Sequence, residues 1–330
     1  MNQIALKSTA AAKPPAHRLI ARFSGDLARL WPEGDRLGLA VSGGPDSLAL
    51  LLLAEAALPG RVEVATVDHG LRPESASEAA RVLELCAGHG IPCEMLTVKV
   101  GAGNLQEQAR LARYRALAEW VKRRQLTALA TAHHADDQAE TLVMRLNRAS
   151  GVAGLAGVRE RTNVPGTDLA VLRPLLTWRR QELMDFVAEA GLLPVQDPSN
   201  HDDRFDRVRI RKALAEADWL DIPALAQSAA HLAEAEGVMI WAAQREWQER
   251  VEGGEGEVRY RPLAPPAIRL RVVLRAIALL SGDARGGSVA KLMKRLALGK
   301  DSNLAGVIAR TDGQCWTFRK EPPRRLAGEN

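Results

Sequence analysis

The chain has 330 residues, 46% of them hydrophobic and 26% charged, with a net charge of +5 and a pI of about 9.3. That length exceeds what one core usually serves, so two domains are expected, and the composition is that of a globular protein without a membrane-spanning run. Three cysteines, Cys86, Cys93 and Cys315, fit neither a disulfide framework nor a zinc or iron–sulfur ligand set.

Reduced thiols in a cytoplasmic protein are the expectation, and residues 1–16 read as a flexible tail with no signal-peptide character. From about Asp35 to Pro174 apolar strands alternate with helical stretches. The strands fall at Leu37 to Val41, Val62 to Val67, Glu94 to Val98 and Ala128 to Ala132, and helices start near Ser47, Ser75, Asn104 and Ala135. Repeated strand–helix units of this size predict an α/β fold, a doubly wound parallel sheet with helices on both faces and ligands beyond the carboxyl ends of the strands. After Pro174 the pattern turns helical: Thr177 to Gly191, with Thr177 as cap, then Arg204 to Glu236, Trp241 to Glu249 and Leu270 to Leu298. Near the C-terminus, Asp312-Gly313 between β-prone runs predicts a hairpin.

The first strand runs into Ser42-Gly43-Gly44-Pro45-Asp46-Ser47 and then into a helix of leucine and alanine. Such a turn points unpaired backbone N–H groups at one spot, at the positive end of the helix dipole, and so makes an anion pocket. It has no lysine after its last glycine, as a Walker loop requires, and no nucleophile between glycines, as a hydrolase elbow requires. Asp46 beside an anion is explained by a divalent cation or, more plainly, by helix capping worth about 1 kcal/mol. Asp68 and His69 follow the second strand, where the crevice is expected. Arg110, Arg113 and Tyr114 share a helix face, although arginine-rich helices are often simply solvated.

The stretch "LATAHHADDQAETLVMRL" ends a strand and starts a helix. A helical wheel puts Asp137, Glu140, Thr141 and Met144 on one side and Ala139, Leu142, Val143 and Leu146 on the other, with the acids at the mouth of the crevice. Acids at a helix N-terminus are favourable by about 0.3 to 1 kcal/mol each without any function. A transition-metal site at His133, His134, Asp136 and Asp137 lacks softer ligands and a third anchoring segment. Further on, Arg204, Arg207, Arg209, Arg211 and Lys212 form a dense basic set, and Arg319, Lys320, Arg324 and Arg325 close the chain. Either set is a solvated face or a phosphate-binding surface whose affinity falls with salt.

The hexapeptide "SGGPDS" resembles the pyrophosphate loop of the ATP-pyrophosphatase (PP-loop) superfamily. "VDHGLRPES", "EQARLARYRAL", "TAHHADDQAETLVMRL", "LRPLL", "DPSN" and "RFDRVRIR" follow in the order and spacing of the bacterial tRNA(Ile)-lysidine synthetase family, over about residues 35 to 215. Ala149 stands where that family usually has glycine, and Val208 where it usually has asparagine. The resemblance implies a PP-loop catalytic domain at 17–215 and a mostly helical, tRNA-binding region at 216–330. It implies ATP with magnesium, free L-lysine and tRNA(Ile) with a CAU anticodon as partners, no membrane, and it leaves a homodimer open. By motif position, Ser42 to Ser47 with Asp68 and His69 would hold ATP, and Asp46 the magnesium. Asp137 and Glu140 would hold the cationic groups of lysine, Arg113 its carboxylate, and Arg207, Arg209 and Arg211 the tRNA. Asp46, His133 and Asp137 are the catalytic candidates, His133 in a proton-handling role. Two rivals are a PP-loop tRNA thiolation enzyme, disfavoured by the lack of paired cysteines, and a non-catalytic RNA-binding module, disfavoured by carboxylates in its groove.

Overall fold

Strand β1 (Leu37–Ala40) is the short apolar segment "LGLA", with both leucines fully buried. Gly38 is required there because a Cβ would stand 2.8 Å from Cζ3 of Trp120. The structure is a computed structural model that describes residues 15–32, 34–68, 70, 73–98, 105–164, 166–195, 202–254, 256–282 and 284–322. It divides into two units, Met1–Ala233 and Glu234–Asn330.

In the first unit, β2 (Val62–Asp68), β3 (Cys93–Thr97), β4 (Ala128–Ala130), β5 (Arg161–Asn163) and β6 (Ala170–Leu172) join β1 in one sheet of order β3-β2-β1-β4-β6-β5. All neighbours are parallel except β5, which runs antiparallel to β6 at the edge. The crossovers are helices α2 (Pro45–Ala57), α3 (Pro73–Gly88), α4 (Leu105–Arg123) and α5 (Ala135–Leu146). Helix α2 buries leucine and alanine all round because it lies between the sheet, α1 (Pro15–Leu30) and α7 (Arg180–Glu189). A short helix, α6 (Val152–Leu155), precedes β5. Strand order reverses between β1 and β4, which opens a crevice beyond their carboxyl ends.

The doubly wound parallel sheet is as the sequence pattern predicts, with the four strands and their helices within one or two residues of their expected places. Helix α7 starts later than expected and is not capped by Thr177. Its first turn is closed by Glu182, which accepts from the Arg179 N–H at 2.8 Å, while the carbonyl and hydroxyl of Thr177 accept from Arg22. Arg22 also lies 4.2 Å over the ring of buried Trp178, whose Nε1–H donates to Asp26 at 2.9 Å.

Helix α8 (Asp206–Glu216) follows, then α9 (Ile222–Arg250), inside which the division between units falls. The second unit holds β7 (Val251–Gly253), β8 (Glu257–Tyr260), α10 (Pro266–Leu280), α11 (Gly286–Ala297), β9 (Ser302–Leu304), β10 (Val307–Thr311) and β11 (Trp316–Lys320). Its strands form an antiparallel sheet of order β7-β8-β11-β10-β9. Alternation sends Val258, Tyr260, Val307, Ala309, Trp316 and Phe318 into a core with α10 and α11 and leaves Arg259, Arg310 and Arg319 on the other face. The hairpin expected at Asp312-Gly313 joins β10 to β11, with Gly313 at φ +91° and Asp312 Oδ1 accepting from the N–H groups of Gln314 and Cys315. No helix among the described residues is long and apolar enough to cross a membrane.

Candidate active site

The turn after β1 is built from its own side chains. The Ser42 N–H donates to Ser47 Oγ at 3.1 Å, and the Ser47 hydroxyl donates to the Gly44 carbonyl at 2.9 Å. Gly43 takes φ +81°, a conformation other residues adopt at a cost of about 1 to 2 kcal/mol. Its carbonyl accepts from the Val195 N–H at 2.9 Å, so the segment after α7 closes onto the loop. Gly44 is the extended N-cap of α2 and Pro45 its first residue. The amides of Gly43 and Gly44 have no acceptor among the described residues, which leaves them to an anion.

Asp46 lies in the first turn of α2 but makes no capping bond. Its Oδ2 is 3.5 Å from His134 Nε2, and its Oδ1 is buried without a hydrogen-bond partner, 4.0 Å from Arg180 Nε. A carboxylate oxygen lacking any donor fits a hard cation such as magnesium. Among the described residues, no group of three or more His, Cys, Asp or Glu could hold a metal by itself, so the phosphates would complete such a site.

Across the crevice, β4 feeds into α5. His134, 2% exposed, caps that helix: its Nδ1 accepts from the Asp137 N–H at 3.3 Å, and its own N–H donates to Asp137 Oδ2 at 3.1 Å. The neutral ring therefore carries its proton on Nε2, between Asp46 Oδ2 at 3.5 Å and Asp137 Oδ2 at 3.6 Å. Burial alone would lower its pKa, but Asp46, Asp137 and Asp136 outweigh burial and raise it. His133 behaves oppositely. Burial, with the charges of Arg173, Arg207 and Arg110, pushes it down to about 3 against the pull of Asp137, so it is neutral at physiological pH, with Nδ1 2.9 Å from Thr131 Oγ1.

The helical wheel put Glu140 at the crevice mouth, but the structure buries it with Ala139 and Leu142 at 2% exposure. Helix α8 brings two guanidiniums to it. Arg207 donates to Glu140 and to Asp137, each at 2.6 Å, and Arg211 donates to Glu140 at 2.6 Å. Burial raises the pKa of Asp137, yet His134, Arg207 and His133 bring it below the ordinary carboxylate value. Arg207 and Arg211, expected beside Arg209 at the tRNA, are thus turned onto these two acids. Arg209 is exposed and paired with Asp206. Val208 is the buried residue of α8, an apolar contact where asparagine was the family's usual choice.

Asp68, at the end of β2, accepts from the Gly70 N–H and the Ser75 hydroxyl and so shapes the turn into α3. His69 and the "DPSN" segment lie outside the described residues, as do Arg324 and Arg325. Arg110 and Arg113 both approach the ring of Tyr114, at 5.0 and 5.6 Å, and Arg113 has no carboxylate partner among the described residues. Desolvation lowers the Arg113 pKa from its ordinary value. Sequence reasoning missed His134 as the link between loop and acids, and missed Arg179 and Arg180, which reach this site from α7. No local pattern marks them, since their partners are some 40 to 130 residues away.

A PP-loop domain family model matches residues 15–218. The tRNA(Ile)-lysidine synthase of Novosphingobium aromaticivorans is 48% identical over 309 residues, covering 92% of this chain and 94% of that protein. The chain belongs to the tRNA(Ile)-lysidine synthase family. The tRNA(Ile)-lysidine synthase of Zymomonas mobilis is 41% identical over 304 residues, covering 90% and 92% of the two chains. Among solved structures, the U34-tRNA thiolase NcsA from Methanococcus maripaludis superposes with a TM-score of 0.53 at 16% identity, over 66% of this chain and 80% of that one, a likeness of fold. As a member of the lysidine synthase family the chain is an enzyme, a carbon–nitrogen ligase built on an ATP-using PP loop.

Proposed function

We propose that this chain joins lysine to C2 of the wobble cytidine of tRNA(Ile) bearing a CAU anticodon, which changes codon reading from AUG to AUA. ATP lies with its phosphates on the Gly43 and Gly44 amides and the Ser42 and Ser47 hydroxyls, with Asp68 at the margin of the site. The C2 oxygen of cytidine attacks the α-phosphorus, pyrophosphate departs, and the lysine amine then displaces AMP from the adenylated base. Magnesium on Asp46 would neutralise part of the phosphate charge. Lysine's cationic end sits at Asp137, exchanging there with Arg207 Nη2, while Glu140 holds Arg207 and Arg211 from beneath, and Arg113 takes its carboxylate. His133, held neutral by burial and by the arginines around it, serves as a polar group beside the adenylate rather than as its base.

One observation carries the reading. The His134 ring touches Asp46 of the phosphate loop and Asp137 of the acidic pair at 3.5 and 3.6 Å, so sites suited to a nucleotide and to a small cation adjoin as the two half-reactions require. Residues 216–330 bind the tRNA body, supported by the arginines on the outer face of the second unit's sheet; Arg209 contacts phosphate as well. The test is incubation of the purified protein with ATP, labelled lysine and a CAU-anticodon tRNA(Ile). Label should enter the tRNA, and AMP should accumulate only when tRNA and lysine are both present. AMP release that ignores lysine, or label that never reaches the tRNA, would end this reading.

A further inference from the structure

The phosphate loop presents a puzzle of charge. A triphosphate brings about four negative charges, the loop contains an aspartate, and the lysine that follows the last glycine in Walker loops is absent. We infer that Arg180, delivered from the first turn of α7, is the cation of this loop and binds the phosphates that leave as pyrophosphate. The inference rests on the reading that ATP occupies Ser42 to Ser47.

Three features point to Arg180. Its backbone is fixed: the Arg180 N–H donates to Asp136 Oδ2 at 2.8 Å, the neighbouring Arg179 side chain grips the same carboxylate, and α7 packs on α2, the helix the loop opens. Its side chain reaches the loop, with Nε 4.0 Å from Asp46 Oδ1, two residues beyond Gly44. No lysine or other arginine among the described residues comes within ion-pair distance of Asp46. And the contact is unfinished. Arg180 Nε and Asp46 Oδ1 are both buried without a hydrogen-bond partner, although they face each other.

A guanidinium meant only to neutralise Asp46 would close on it, as Arg207 and Arg211 close on Glu140 at 2.6 Å in the same unit. A buried N–H left unmade is costly enough to call for a ligand. Phosphate oxygens over the Gly43 and Gly44 amides would supply that acceptor, leaving Asp46 Oδ1 to the divalent cation. In the adenylation step the bond from the α-phosphorus to its bridging oxygen breaks, the electron pair goes to pyrophosphate, and the new bond forms to the cytidine oxygen. Arg180 transfers no proton; it donates hydrogen bonds to the oxygens on which charge builds.

The experiment titrates ATP, AMP and inorganic pyrophosphate into the full chain with magnesium, by calorimetry, for wild type, Arg180→Gln, Arg180→Lys and Ser47→Ala. Expected is a tenfold or greater weakening of ATP and pyrophosphate in Arg180→Gln, less than twofold for AMP, and partial recovery in Arg180→Lys. If Arg180→Gln does not fold, the same split is read on Arg180→Lys. Equal weakening of ATP and AMP, or no weakening while Ser47→Ala does lose ATP, overturns the role of Arg180 and spares the loop. ATP affinity untouched by Ser47→Ala as well would overturn the loop reading and this one together.

Discussion

Replacing Glu140 with glutamine tests what holds α8 against α5. The carboxylate is 2% exposed and accepts from Arg207 Nε at 2.6 Å and from Arg211 at 2.6 and 3.4 Å. Glutamine keeps the shape and one acceptor oxygen but removes the charge, so one guanidinium loses its partner. Breaking a fully buried pair costs roughly 3 to 5 kcal/mol, and an exposed pair roughly 0 to 1. The arginine side chains are 43% and 28% exposed, and Arg207 keeps Asp137 at 2.6 Å, so water and the second acid recover part of the loss. The expected cost lies between those limits, about 2 kcal/mol, or a fall of roughly 4 to 8 °C in the unfolding midpoint for a unit of this size. Urea unfolding at pH 7, followed by the fluorescence of buried Trp120 and Trp178, measures it. Adding Arg211→Met to each background completes a double-mutant cycle in which about 1 kcal/mol of coupling is expected. A Glu140→Gln variant within about 0.5 kcal/mol of wild type, or a coupling of zero, would refute the claim that this carboxylate anchors α8.

Three other perturbations have definite signs. Ala149 is held at φ +50°, so Ala149→Gly should stabilise the first unit by about 0.5 to 1 kcal/mol, read from the denaturant midpoint. A Cβ on Gly43 would lie 3.0 Å from Val195 Cγ2 at φ +81°, so Gly43→Ala should cost about 1 to 3 kcal/mol and weaken ATP more than lysine in parallel titrations. In the second unit, burial pushes Glu246 up, but the N–H groups of Leu263 and Ala264 and the Tyr260 hydroxyl bring it below its ordinary 4.5. That contribution is complete above pH 4.5 and is lost as pH falls through the folded value. The gap in thermal midpoint between wild type and Glu246→Gln should therefore be widest near neutrality and shrink toward pH 3, and a constant gap would count against it.

The parallel sheet was legible because its central strands are apolar on both faces and end in turn residues, as in "LGLAVSGG" and "LATAHH". The three-residue strands β5 and β6 carry too little periodicity to be seen, and α7 was misjudged because the cap residue Thr177 serves Arg22 instead. Within the site, the loop and the acids of α5 announced themselves locally. The pairing of Arg207 with Asp137 spans 70 residues, so two arginines of a run that reads as basic and RNA-facing, Arg207 and Arg211, stand as counterions for acids that read as an open pocket. Ala149 was noticed as a departure from the family, and its left-handed backbone shows why glycine is the easier residue there. The Asp312-Gly313 hairpin succeeded for the opposite reason, since everything that makes it lies within four residues.

The hydrogen bond from Val195 to Gly43 ties the beginning of the catalytic unit to a point about 150 residues later. A chain emerging from the ribosome can assemble β1, α2 and their neighbours, but it cannot close the loop after β1, the proposed nucleotide cradle, until α7 and the residues just beyond it have been made. Affinity for nucleotide then reports how much of the polypeptide has been synthesised and folded: fragments ending short of position 195 should be sheet-forming yet blind to ATP.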